Sequence, residues 1–195
     1  VKKAKYETLI FLDDDTVLID NNTLFLISEL SQKSIYGYSA IRYWTKLGWY
    51  EKNKHVIDDN MVNGLRDHYG IDYSLPDPSI RDKENNRHLI RTYIGNFGFV
   101  NRNAFIEIGM WDSSYTGYGV EDDAAAFALF SAYGRPTLLT EIEVVHISHR
   151  ISKANLNELS LNRQKFDYYL KSKGIKEFHV GRLLYCEPNV IEYVE

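Results

Sequence analysis

Residues 7–12 read Glu-Thr-Leu-Ile-Phe-Leu, and the chain then breaks into three consecutive carboxylates, Asp13, Asp14 and Asp15. A short apolar run ended by a polar cluster predicts a buried strand. The spacing after it predicts a helix over 22–33, capped by Asp20 or Asn22, with Leu26, Ile27 and Leu30 turned inward. Residues 35–43, "IYGYSAIRY", predict a second strand. From 44 to 87 the pattern loosens, punctuated by Pro76 and Pro78 and by the charged run "RDKENNR". This stretch reads as a variable insertion with a short helix over 61–69, and long loops of that kind often serve as lids or binding loops. Periodicity returns with a strand over 88–94 and with "GNFGFVNRNAFIEIG", where Gly95 and Gly98 bracket a tight backbone and Asn103 starts a short helix. A helix is expected over 120–133, closed by Gly134, with Ala124, Phe127, Ala128 and Ser131 lining one face. One or two strands follow over 137–147, ending at "HISH". A helix over 155–172 has Leu156, Leu159, Phe166 and Leu170 as its inner stripe, and a last apolar run covers 180–185. Strands and helices alternate without repeats, so the expected class is α/β with a mixed sheet.

Composition narrows the partners more than the fold. The chain has 195 residues, 44% of them hydrophobic, which suits a domain with a continuous core. The formal net charge of −4 comes without any basic stripe, so nucleic acid is not an expected partner. No apolar run is long enough to span a bilayer, and the first residues lack the features of a signal peptide; a cytoplasmic location is the resulting expectation. Cys186 is the lone cysteine, which excludes an internal disulfide and agrees with a reducing compartment. Fifteen tyrosines and three tryptophans are numerous for this length, and several stand beside Gly or Asp in expected loops, as sugar-stacking rings do.

Chemistry concentrates at three places. Carboxylates at the C-terminal end of a strand lie where open α/β sheets bind ligands. In an extended chain Asp13 and Asp15 share a side and Asp14 takes the other, so a hard divalent cation could collect two of the three. Glu121, Asp122 and Asp123 form a second acidic triplet at an expected helix start, where the dipole favours negative charge. Before them runs "WDSSYTGYG", a flexible loop walled by aromatics. His146 and His149 close the set at a strand end, and an imidazole shifts an Asp site from magnesium toward manganese.

The order "FLDDD", then "GNFGFVNRNAFIEIGMWDSSYTGYGVEDD", then "VVHISH" resembles the C-terminal catalytic region of GT-A glycosyltransferases, in particular family-2-like enzymes and β-1,4-galactosyltransferases. The resemblance covers roughly residues 7–150. It implies a GT-A-like mixed sheet flanked by helices, lacking the first nucleotide-binding strands, with a catalytic region over 1–153, variable over 44–87, and a C-terminal helix and tail over 154–195. It also implies a sugar transferred with inversion from a nucleoside diphosphate sugar, above all a UDP-sugar, to a hydroxyl of a carbohydrate or other acceptor. Carried over by position, Asp13, Asp14 and Asp15 bind the cofactor, and Asp13, Asp15 and His146 ligate Mn2+ or Mg2+, with His149 as a substitute for His146. Asp122 would be the general base. Glu121, Asp123, Tyr115, Tyr118, Gly98 and Trp111 would line the substrate site.

Two rival readings share the opening motif. "FLDDDTVL" also fits a haloacid-dehalogenase-type phosphatase, with Asp13 as nucleophile and Asp15 as general acid. That reading leaves the aromatic loop and "HISH" unused. A carbohydrate-binding fragment that keeps the fold without turnover is the other. An EF-hand loop starting at Asp13 fails, because Val17, Leu18 and Leu24 stand where an oxygen ligand, a glycine and a glutamate are required.

Overall fold

A computed structural model of the chain describes residues 1–18, 22–45, 48, 97–147, 152–178 and 191–193. The elements run β1 (Thr8–Leu12), β2 (Thr16–Leu18), α1 (Thr23–Ser31), β3 (Tyr36–Trp44), β4 (Phe97–Asn101), α2 (Arg102–Glu107), α3 (Glu121–Tyr133), β5 (Thr137–His146), α4 (Lys153–Ser172), β6 (Ile175–Phe178) and β7 (Ile191–Tyr193). The expected helix over 61–69, the strand over 88–94 and the run over 180–185 lie outside the described residues, as do Asp20, Gly95, His149 and nearly all of 44–87.

The class is mixed α/β, as the alternation of elements predicts. A five-stranded sheet has the order β1-β4-β3-β5-β2, and β6 and β7 form a separate two-stranded ribbon. Strand β4 is antiparallel to both β1 and β3, while β3 and β5 are parallel. Hence β1, β3 and β5 all point the same way and deliver their C-terminal ends to one edge. Beyond the irregularity between Ser39 and Ile41, β3 continues alongside β5, and β2 joins the far side of β5 there. The chain passes from β1 to β2 through Asp13, Asp14 and Asp15 alone, so the carboxylate run caps that end of the sheet.

Both faces of the sheet are covered. On one, Ile27 of α1 packs with Phe97, Phe99, Leu139, Ile142 and Val144, and Leu26 and Leu30 lie partly buried beside them. On the other, Phe105 of α2 and Ala125 and Leu129 of α3 meet Tyr36, Tyr38 and Val100. The strand alternation sorts β4 cleanly, with Phe97 and Phe99 to the first face and Gly98 and Val100 to the second. The opposite flank of α3 buries Ala126 and Phe127 against Phe166 and Leu170 of α4 and Phe178 of β6. Edge-on ring contacts of Phe127 with Phe178 (5.1 Å) and Phe166 (6.2 Å) fix that layer.

Four expectations are corrected by this packing. Strand β1 is half-buried rather than buried: Ile10 and Leu12 are exposed, because β4 is its sole pairing neighbour among the described residues. Helix α3 has no single inner face of Ala124, Phe127, Ala128 and Ser131. It is covered on two flanks, so Ala125, Ala126, Phe127 and Leu129 are buried and Ser131 is exposed. On α4, Leu156 is exposed, and the inner stripe runs Leu159, Asn162, Phe166 and Leu170 instead. The first residue of α2 is Arg102, since the Asn101 carboxamide accepts from Asn103 N–H (3.0 Å) and Ala104 N–H (3.2 Å) and so makes Asn101 the cap. Helix α1 begins after Asn22 as expected, but that side chain accepts no capping hydrogen bond from the first turn.

Candidate metal centre and the acidic helix start

The first acidic triplet sits in a turn and not in extended chain: Thr16 N–H donates to the Asp13 carbonyl at 3.0 Å. Within that turn Asp13 and Asp15 still share a side, and Asp14 is exposed. The backbone then ties the turn to the end of β5, as Ile147 N–H donates to the Asp15 carbonyl at 2.7 Å. Thr16 is in register with His146 on β2 and β5, and Trp44 is in register with the same histidine from β3. His146 is thereby held from both sides, buried at the meeting point of three strand ends.

The outcome is a compact donor set. Asp15 Oδ1 lies 3.2 Å from His146 Nε2, and ligand atoms of Asp13, Asp15 and His146 all fall within 4.8 Å of one another. With the imidazole doubly protonated, the Asp15–His146 contact is an ion pair. With it deprotonated, two carboxylate oxygens and an imidazole nitrogen converge in the pattern a divalent cation takes. The three residues could hold a divalent cation, and a set of three protein ligands leaves positions for water or other ligands.

The second triplet begins α3. Glu121 and Asp122 are half-buried and Asp123 is buried, bonded to Arg163 Nη2 of α4 at 2.5 Å. Asp123 is therefore engaged in joining α3 to α4. Asp122 lies over the sheet near Tyr38, whose phenol is held well above its ordinary range by burial first, then by the neighbouring Tyr36 and by the charge of Asp122.

The residues between 109 and 120 link the two centres. Trp111 stacks edge-on against Phe11 at 5.3 Å, two residues before Asp13, and against Phe105 at 5.2 Å. Trp111 is thus a packing anchor for the loop. Gly98 is buried in β4, in register with Phe11 of β1 on one side and Tyr38 of β3 on the other. Ser114 N–H donates to Asp112 Oδ1 at 2.8 Å, and the hydrogen bonds from Ser114 lower the Asp112 carboxyl below its usual range. Tyr115 and Tyr118 are half-buried, and the Lys165 ammonium sits 4.7 Å from the ring centre of Tyr115.

Sequence reasoning missed the contribution of α4. Asn162, Arg163 and Lys165 all reach this loop or the start of α3. The signal was present as a buried-spaced Asn between Leu159 and Phe166, but a polar residue in an apolar stripe reads as a break unless its partner is known. No helix among the described residues is long and apolar enough to cross a membrane. Compared with protein-family models, curated proteins and solved structures, the chain matches none.

Proposed function

We propose that this chain carries the catalytic region of a metal-dependent glycosyltransferase of the GT-A type, moving a sugar with inversion from a nucleoside diphosphate sugar, a UDP-sugar first of all, to an acceptor hydroxyl. The observation that supports it is the convergence of Asp13, Asp15 and His146 at the C-terminal ends of the parallel strands. Asp13, Asp15 and His146 would hold a divalent cation there, which would supply positive charge to offset that of the leaving diphosphate. Asp14, exposed on the outer side of the turn, faces the solvent from which a donor would arrive.

The remaining roles fall to residues of α3 and its loop. Asp122 takes the proton of the acceptor hydroxyl, a task that suits a half-buried carboxylate at a helix start. Glu121, one residue earlier, and the rings of Tyr115 and Tyr118 orient the acceptor sugar. Trp111 contributes indirectly, by fastening the loop to Phe11 and hence to the strand that bears Asp13.

The test is a calorimetric titration of UDP into the chain with and without manganese, repeated with Asp15→Ala. Metal-dependent binding that vanishes in the variant is expected. Asp122→Asn should then lower sugar transfer by about 10²–10⁴-fold while leaving UDP and manganese binding as they were. Manganese binding with no heat from UDP, or p-nitrophenyl phosphate hydrolysis that depends on Asp13, would refute the transferase reading, the second in favour of a phosphatase.

A further inference from the structure

One side chain stands out when every buried polar group is matched to a purpose. Asn162 of α4 is 7% exposed and lies within the apolar stripe that packs α4 onto α3. Its Nδ2 is 3.1 Å from the carbonyl of Thr116, 3.3 Å from that of Tyr118 and 3.0 Å from that of Gly119. Two N–H bonds are shared among three carbonyls of one short loop, so the loop is gathered around a single amide.

The backbone at that point needs holding. Gly117 and Gly119 have φ of 79° and 82°, and Val120 has φ of 78°. The glycines adopt the left-handed region freely, where any other residue would be strained, and both lie against the side chains of Glu158 and Leu159 of α4. Val120 has no such freedom. A β-branched residue in the left-handed region is a genuine outlier, and such strain persists only where the surroundings over-determine it. Here Val120 is buried against Phe166 and Leu170, and the carbonyl just before it belongs to Gly119, a partner of Asn162. Val120 is also the N-terminal cap of α3, with no side-chain cap bond of its own, and its carbonyl accepts the Ala124 N–H at 2.9 Å. The direction in which Glu121 and Asp122 leave the loop is set at this residue.

We propose that Asn162 is a positioning residue of the candidate acceptor site: its amide holds the 116–119 loop and the left-handed turn at Val120 in the conformation that aims Asp122 and presents Tyr115 and Tyr118. The proposal rests on the reading above only in calling that surface an acceptor site. Lys165, which donates to the Ser114 carbonyl at 2.5 Å, and Arg163, which bonds to Asp123, extend the same attachment to both ends of the loop. A surface gathered in this way suits a sugar, whose flat apolar face and fixed hydroxyls reward rings and carboxylates that do not move.

Two variants of the full chain test it. Asn162→Leu keeps the number and branching of side-chain heavy atoms and favours the helix but removes both donors, and Asn162→Asp keeps the shape but turns oxygen toward the carbonyls. In both, amide hydrogen exchange over 113–123 should accelerate at least tenfold while the amides of β4 and β5 keep their rates. The carboxyl carbon titration of Asp122, followed by NMR, should change its midpoint in both, and manganese affinity should stay within twofold. Exchange that is unchanged, or raised equally throughout, or an Asp122 midpoint that does not move, would overturn the proposal and leave Asn162 as ordinary packing. Turnover of UDP-glucose with manganese should lose at least tenfold in kcat with the donor KM retained. Were the unaltered chain to bind manganese but no UDP, the transferase reading would fall while exchange and titration still decide the role of Asn162.

Discussion

His146 Nε2 stands 3.2 Å from Asp15 Oδ1, although one residue closes the fifth sheet strand and the other lies in the turn between the first two. Their meeting depends on two registers at once, Thr16 with His146 across β2 and β5, and Trp44 with His146 across β3 and β5. A shift of one residue in either would turn the imidazole to the opposite face of the sheet. The donor set is therefore a product of strand pairing.

If that set binds a cation, His146→Ala should weaken manganese binding by more than the roughly 10–100-fold that loss of an outer-shell partner costs. His149→Ala, drawn from the same "HISH" stretch, should leave it unaltered. Affinity in the unaltered chain should fall as the solution is acidified, since protons compete with the cation for imidazole and carboxylates. Isothermal titration across a pH series checks all three, and equal losses in the two histidine variants would refute the assignment of His146.

The bond between Arg163 and Asp123 predicts an asymmetry. Asp123 is buried whereas the Arg163 side chain is 44% exposed. Arg163→Leu removes a cation from beside a buried carboxylate and should cost about 1–3 kcal/mol, below the full cost of breaking a buried pair because solvent screens one partner. Asp123→Asn should cost less, since it removes the buried charge itself and leaves Arg163 to water. Chemical denaturation measures both, and the reverse order would contradict the burial assigned to the pair.

Gly37 is in register with Phe99 on one side and Thr137 on the other. A Cβ placed there would stand 2.7 Å from the Thr137 carbonyl oxygen and 2.8 Å from the Phe99 ring. Gly37→Ala should therefore destabilise the fold by about 1–3 kcal/mol through overpacking, despite the better strand propensity of alanine. Thermal unfolding that is unchanged or raised would show that β3 can shift away from β5 without cost.

Tyr133 donates to the Glu107 carboxylate at 2.6 Å, joining the end of α3 to the end of α2. That hydrogen bond, then burial and the glutamate charge, push the phenol up to about 12 from the ordinary 10.0. With the folded value raised, the bond contributes fully below pH 10 and is lost as pH climbs through the folded value. Glu107→Ala should bring the Tyr133 midpoint back toward the ordinary value, read from tyrosinate absorbance against the Tyr133→Phe background. A midpoint that stays high would assign the shift to another cause.

Local patterns determined much of the element list. The apolar run before Asp13 made β1, Gly134 closed α3, and the heptad-like spacing of Leu159, Phe166 and Leu170 made α4, because each depends on residues a turn or two apart. The pairing of Asp13 with Asp15 on one side was also legible, though a turn rather than an extended strand achieves it. What lay beyond the sequence was which face each element would use. Helix α3 lost its expected face because two layers cover it, and Gly98 came into register with both Phe11 and Tyr38 because β4 lies between β1 and β3. Asn162 turned inward because three carbonyls awaited it, and His146 reached Asp15 because β2 and β3 both pair with β5. Local propensity is a matter of neighbours along the chain, whereas ligand sets and buried polar partners are decided by strand order and helix docking between residues far apart in it.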